Sequence, residues 1–271
     1  MLKNTTLQYL QNDRDLHDYV ASVAGGEVAE HKGNFYSQRV QISDARALPA
    51  SPDIERQGFC LKEHYSSVAD FYADNQLQEI YESEIVSLMS EIFSESEIRV
   101  FDHTRRSTSD QIRKERKMRE HASVIHNDYT DASAHKRQKE ILGSDYEEFE
   151  GCDFAIVNIW RSINGTVRNY PLALCDAQTV SDDDLIPVAR ISKKRRGEIQ
   201  FAKYSPDHKW YYFSAMNESE VLVFKTFDSR LDGRARQAIH SAFEDREAAT
   251  DAPSRESIES RCFIFFHDEP K

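Results

Sequence analysis

Phe154-Ala155-Ile156-Val157-Asn158-Ile159-Trp160 decides the fold. This short apolar run, rich in β-branched and aromatic residues and bounded by turn residues, reads as a buried strand. The same pattern recurs in Lys209-Trp210-Tyr211-Tyr212-Phe213, Glu220-Val221-Leu222-Val223-Phe224-Lys225 and Ser260-Arg261-Cys262-Phe263-Ile264-Phe265-Phe266. Several short strands separated by turns predict a sandwich or jelly roll. A helix over Asp131 to Leu142, ended by Gly143, interrupts them. Upstream, Ile98-Arg99-Val100-Phe101 reads as a strand. Between Ser66 and Phe93, Leu77, Ile80, Tyr81, Ile85, Leu88, Met89 and Ile92 recur at three- and four-residue spacing, which predicts one or two amphipathic helices packed on a sheet. Residues 1–60 mix strand-like runs such as Tyr36 to Ile42 with the breakers Pro49 and Pro52. The expected organisation is one domain over 1–271, with N-terminal strands and packing helices in 1–97 and the β core in 98–271.

A chain of 271 residues with 39% hydrophobic content can bury a sizeable core. Its 47 acidic and 35 basic residues give a net charge of -12, which disfavours general binding to nucleic acid or to an anionic membrane. The expected partner is a small molecule, with a homodimer left open. Cys60, Cys152, Cys175 and Cys262 lack CxxC spacing and read as reduced, mostly buried thiols. The stretch Met1 to Asp15 is polar, and no segment approaches the ~18 apolar residues of a membrane span, so a cytoplasmic location is expected.

The chemistry centres on His126-Asn127-Asp128 and His240. Alternate residues of a strand point to one side, so His126 and Asp128 can reach a common ion while Asn127 faces away. His240 lies 112 residues beyond Asp128, far enough to return on a neighbouring strand. Two imidazoles and one carboxylate can hold one face of a non-haem iron(II) and leave positions open for oxygen and a co-substrate. An isolated HxD is weak, because a solvated or hydrogen-bonded histidine is commoner. The segment after His240 strengthens it: Arg255, Ser257, Glu259, Arg261, Phe263 and Phe265 would share one strand face. Arg255 suits the distal carboxylate of 2-oxoglutarate, with Ser257 adding a hydroxyl donor. Arg261 is the competing anchor. The alternative for either arginine is an inward ion pair, with Glu259 as one candidate partner.

Several ordered blocks resemble the CmcJ/AsaB-like hydroxylase/desaturase family, which is related to iron(II)/2-oxoglutarate oxygenases. They are Asn158 to Arg161, Tyr170 to Ala177, His208 to Phe213, Phe224 to Ser229, Ile239 to Phe243 and Ala252 to Glu259, and the similarity runs from about Phe101 to Phe266. The resemblance implies a mainly β chain with flanking helices, folded as a double-stranded β-helix (jelly roll). It implies His126, Asp128 and His240 as iron ligands and Arg255 as co-substrate anchor. Where the family reads Trp-Arg-Pro-Leu and Pro-His-Thr-Ala-Phe, this chain has Trp160-Arg161-Ser162-Ile163 and Ile239-His240-Ser241-Ala242-Phe243; neither change removes a ligand.

Other residues carry two readings each. Asn158 and Arg161 either bind a substrate or co-substrate carboxylate beside Trp160, or Trp160 is core and Arg161 forms a structural ion pair. Tyr129 either lines the pocket or packs beneath it. Lys225 and Asp228 read as a surface pair, and His208 as a hydrogen-bonded structural histidine. The basic run from Arg105 to Arg119 reads first as a solvated segment, and second as a lid that attracts an anionic substrate. The function expected is an iron(II)/2-oxoglutarate-dependent oxygenase that uses O2 to hydroxylate, desaturate or cyclise a small molecule. Its rivals are an iron oxidase without 2-oxoglutarate, a catalytically silent accessory or metabolite-binding protein, and, more weakly, a zinc hydrolase.

Overall fold

The computed structural model describes residues 2–11, 19–20, 34–192, 196–249 and 251–267. Met1 and residues 12–15 of the polar N-terminal stretch lie outside them. The strands in chain order are β1 (Leu2–Leu10), β2 (Tyr19–Val20), β3 (Phe35–Asp44), β4 (Phe59–Glu63), β5 (Ser96–Ser107), β6 (His126–Asn127) and β7 (Asp153–Ser162). They continue with β8 (Leu172–Cys175), β9 (Leu185–Ile191), β10 (Arg196–Ala202), β11 (Trp210–Tyr212), β12 (Glu220–Asp228), β13 (His240–Ala242) and β14 (Glu256–Phe266). Among the described residues these form two sheets, of order β1-β3-β11-β8-β13-β6-β10-β9-β2 and β4-β12-β7-β14-β5. The two sheets face each other as a jelly roll.

The smaller sheet is buried on both sides, which explains why β7, β12 and β14 read as nearly continuous apolar runs. Its outer face presents Ala155, Val157, Ile159, Ile258, Cys262 and Ile264 to Leu77, Tyr81, Ile85, Leu88 and Met89. The helical stripe legible in the sequence therefore does cover a sheet. The helix begins later than its periodicity suggests: α1 (Asp74–Gln76) leads through a π turn (Leu77–Tyr81) into α2 (Glu82–Ile92). Residues 66–73 instead form a loop strapped to the helix, since Ser66 and the Ser67 amide donate to Glu84 and the Ala69 and Asp70 amides donate to the Gln76 side chain. The inner face carries Phe59, Trp160, Leu222 and Phe224, packed against Leu172, Leu174 and Phe213 of the larger sheet and its connections.

A bulge sets which side chains of β5 face inward. Arg261 of β14 pairs with Asp102 while the next residue, Cys262, pairs with Val100, so Phe101 is the extra residue. Two consecutive side chains can then serve the inner face. Phe101 stacks on Phe263 at 4.4 Å, and Asp102 accepts from Arg261 at 2.7 Å. The helices α3 (Asp110–Arg116) and α4 (Asp131–Leu142) complete the frame, and Gly143 ends α4 with φ +54°, a conformation that favours glycine.

The first 97 residues contribute β1, β2 and β3 to the large sheet and β4 and two residues of β5 to the small one. Lys225 and Asp228 are not a surface pair. Both are fully buried, Lys225 donating to Asp228 at 2.7 Å and to Glu55 at 2.6 Å, while Arg230 also pairs with Asp228. A β-bulge at Thr226 brings them into that position. His208 is hydrogen-bonded between Tyr9 and Asp184, and all four cysteines are free thiols. Among the described residues no helix is long and apolar enough to cross a membrane.

Candidate metal centre

Strand pairing, not proximity in sequence, assembles the site. β13 is three residues long and lies between β8 and β6, with His240 directly opposite His126. The two imidazoles sit with ring centroids 4.4 Å apart, and Phe224 of the facing sheet packs 4.7 Å from His240. Asp128 follows β6 immediately. Beyond it the chain is fixed by a cap: Thr130 accepts from the Ser133 amide at 3.0 Å, Ser133 accepts from the Thr130 amide at 2.9 Å, and α4 starts there. One ligand atom each from His126, Asp128 and His240 then lies within 4.8 Å of the others.

The outer partners prepare these atoms for a metal. His126 Nδ1 lies 2.9 Å from the Val124 carbonyl and His240 Nδ1 lies 3.1 Å from the Ala238 carbonyl. A carbonyl only accepts, so Nδ1 carries the proton in both rings and Nε2 keeps its lone pair. Asp128 Oδ2 accepts from Asn158 at 2.9 Å and from Arg261 Nε at 3.0 Å, whereas Oδ1 faces His126 Nε2 at 3.6 Å. Two bare imidazole nitrogens and one uncommitted carboxylate oxygen converge, a donor set that fits iron(II) with open positions.

Burial, helped by the neighbouring His240, lowers the His126 pKa to about 4, and burial lowers that of His240. Burial alone would raise Asp128, but Arg261 and the two histidines hold it well below the usual carboxylate range. At neutral pH the metal-free site is therefore two neutral imidazoles and a carboxylate. A stability consequence follows. Between 6.5 and about 4 the unfolded chain protonates at His126 while the folded one does not, so the metal-free protein should lose stability as pH falls through that window. Denaturant unfolding of chelated protein across pH checks this. A His126→Gln variant should show a shallower loss, and an unchanged slope would contradict the assignment.

A cavity of about 450 Å³ opens beside the cluster, lined by His126, Asp128, Tyr129, Val124, Phe201 and Arg261 among others. Arg255 immediately precedes β14 and Ser257 is its second residue, and both are buried. The Arg255 guanidinium lies 5.5 Å over the Trp160 ring and donates to the Tyr170 carbonyl. Its Nε and the Ser257 hydroxyl are buried without a hydrogen-bond partner. Burial, with Arg106 nearby, lowers the Arg255 pKa to about 9. A buried cation and hydroxyl left unsatisfied are costly, and a carboxylate ligand would satisfy both. Arg261 is different, being shared among Asp102, Asp128 and Glu259.

The structure thus brings together His126, Asp128 and His240, with Asn158 and Arg261 holding Asp128, Tyr129 lining the cavity, and Trp160 in the core beneath Arg255. It does not bring Arg161 or Arg105 there. Strand alternation turns Arg161 to the outer face, where it donates to the His64 and Glu218 carbonyls and lies 5.1 Å over Phe71. Arg105 faces out as well, donating to the Phe71 carbonyl and to Asp74. The adjacent Arg106 lines the cavity instead, with Arg119, Arg190 and His121. Sequence reasoning marked the 105–119 run but not which members turn inward. The signal was the run itself, and the bulge at Phe101 set the parity.

The chain matches the family described as oxidoreductase/YMDC permease-like domain over residues 7–265. It is similar to hydroxylase/desaturase efuI of Hormonema carpetanum, 28% identical over 290 residues that cover 99% of this chain and 96% of that protein. It is also similar to the Fe(II)/2-oxoglutarate-dependent dioxygenase nvfI of Aspergillus novofumigatus, 29% identical over 240 residues, 86% of this chain and 84% of that one. A solved structure of the iron and alpha-ketoglutarate-dependent endoperoxidase NvfI superimposes with a TM-score of 0.83 at 26% identity, covering 98% of this chain and 99% of that chain.

Proposed function

The chain belongs to the oxidoreductase/YMDC permease-like domain family, and from that membership and the geometry of its site we propose that it is an iron(II)- and 2-oxoglutarate-dependent oxygenase acting on a small molecule. The observation that carries this reading is the pairing of two preparations: a convergent His126, Asp128 and His240 set with bare donor atoms, and a buried Arg255 Nε and Ser257 hydroxyl that each lack a hydrogen-bond partner.

In this reading His126 Nε2, Asp128 Oδ1 and His240 Nε2 hold the iron, and Arg255 with Ser257 binds the distal carboxylate of 2-oxoglutarate. Iron with 2-oxoglutarate and O2 supplies the oxidant that removes hydrogen from a substrate C–H bond. The chain's own residues do the rest. Val124 and Ala238 fix the two imidazoles through their carbonyls, Asn158 and Arg261 fix the Asp128 carboxylate, and Trp160 supports the Arg255 guanidinium from below. The cavity places the substrate. Relatives carry the names hydroxylase/desaturase and endoperoxidase, and in this reading the position of the target bond relative to His126 and Asp128 selects among hydroxylation, desaturation and ring closure.

An iron oxidase that does not use 2-oxoglutarate leaves the unsatisfied Arg255 Nε and Ser257 hydroxyl without a ligand. The test is anaerobic titration of the iron(II) protein with 2-oxoglutarate, following the visible charge-transfer band of the chelate. Arg255→Ala should weaken 2-oxoglutarate binding by about 30-fold or more, the loss of a charge-assisted pair, and leave iron binding unchanged. An unaltered affinity for 2-oxoglutarate would remove the co-substrate from the assignment.

A further inference from the structure

The basic run between Arg105 and Arg119 folds back on itself. Arg106 and Arg119 form a parallel β-bridge, closed by the Ser107 amide donating to the Arg119 carbonyl and the Arg119 amide donating to the Arg105 carbonyl, each at 2.9 Å. The intervening α3 carries the exposed Lys114 and Arg116, and the segments at its two ends place Arg106 and Arg119 side by side on the cavity wall. Neither forms an ion pair among the described residues. Arg106 donates only to the Glu120 carbonyl at 2.9 Å, and no side-chain hydrogen bond satisfies Arg119. Burial, then Arg106 and Arg190, lower the Arg119 pKa, the mark of cations crowded together. An acidic protein has concentrated like charge at one place, beside the metal cluster.

The cavity's charge balance narrows what fits. Among the described residues lining it are five arginines and four carboxylates, an excess of one positive charge. Asp102 and Asp128 are committed to Arg261, and Glu140 lies 3.7 Å from Arg137. The buried Arg255 and Glu259 behind the wall offset one another, and the iron dication and 2-oxoglutarate dianion of the proposed function cancel. Among the described residues that single positive excess persists in the loaded site.

We propose that Arg106 and Arg119 clamp one carboxylate of the substrate, so that this enzyme acts on a monoanionic carboxylic acid whose apolar part lies against Val124, Ile199 and Phe201. Paired guanidinium groups present parallel N–H donors matched to a carboxylate. The apolar wall runs from Phe201, paired with His126 across β10 and β6, to Ile199, so a molecule anchored at the arginines extends along it toward the metal cluster. The placement as substrate rests on the oxygenase reading. The anion site itself rests on the arginines.

The experiment is calorimetric titration of the full-length protein, loaded anaerobically with iron(II) and 2-oxoglutarate, with 3-phenylpropanoate and with its neutral isostere 3-phenylpropanamide. Wild type should bind the carboxylate about tenfold or more tightly than the amide, the value of a charge-assisted pair. Arg106→Gln and Arg119→Gln should each erase most of that preference, Arg119→Lys should restore part of it, and the outward-facing Arg105→Gln should leave it intact. Circular dichroism confirms that each variant folds. Equal affinity for acid and amide, binding of neither, or a preference that survives both glutamine variants overturns the proposal. Failure of the oxygenase reading looks different: no charge-transfer band on adding 2-oxoglutarate, with the carboxylate preference and its loss in the variants unchanged.

Discussion

His240→Ala is expected to abolish stoichiometric iron(II) binding and with it all turnover. In the proposed assignment His240 is one of three donors, and without it His126 and Asp128 would offer a metal only two protein atoms. Loss of an outer partner of a metal ligand typically costs 10- to 100-fold in affinity, so removal of a ligand should exceed about 100-fold. The side chain is 2% exposed and packs on Phe224, so the variant also leaves a small gap between the sheets. Metal analysis and circular dichroism on the same sample separate the two effects. A folded His240→Ala protein that retains full iron content would remove His240 from the ligand set. Asn158→Ala supplies the graded comparison: it takes one donor from Asp128 Oδ2 while sparing the ligands, and should weaken iron by about 10- to 100-fold.

Arg261→Met is expected to have the largest effect on stability. Arg261 is buried and serves Asp102, Asp128 and Glu259 together. Methionine fills much of the volume but leaves the buried Asp128 and Glu259, with Asp102 beside them on the cavity wall, without this shared cation, and breaking such a buried pair costs about 3–5 kcal/mol. The pH dependence gives the cause away. In wild type, burial pushes Asp102 and Asp128 upward but Arg261 wins, holding both below 3.8. Their contribution is present above that value and is lost as pH falls through the folded pKa values. In the variant, burial is opposed only by the lesser partners, Arg137 and Arg119 at Asp102 and the histidines and Asn158 at Asp128, so the folded carboxylates take up protons at higher pH than in wild type and less stability is lost as pH falls. The gap between wild type and variant should therefore be widest at neutral pH and shrink toward pH 4. A gap independent of pH would point to packing alone.

The sheet core was legible because its signals are local. Six apolar residues within Phe154 to Trp160 are compatible with a strand covered on both faces, and the α4 helix from Asp131 to Leu142 was readable from its glycine stop. The metal cluster was legible as chemistry: His126 and Asp128 are two apart on an extended segment, and Arg255 and Ser257 share a face by the same alternation. Boundaries were less so. The π turn and the side-chain straps of Glu84 and Gln76 shifted the first helix from Ser66 to Asp74, and no periodicity reports such bonds.

The sequence by itself marked the strands, the candidate donors His126, Asp128 and His240, and the two candidate anchors Arg255 and Arg261, because each depends on residue type and on a period of two that the backbone enforces. Only the tertiary structure decided what depends on long-range pairing. The register of β13 against β6 set His240 opposite His126, and the bulge at Phe101 turned Arg106 inward and Arg105 outward. The burial of Lys225 with Asp228 came from a second bulge at Thr226. A one-residue slip in a strand exchanges its two faces, and the chain carries no local mark of where such slips occur. Which arginines meet the cavity was therefore fixed only when the sheets closed.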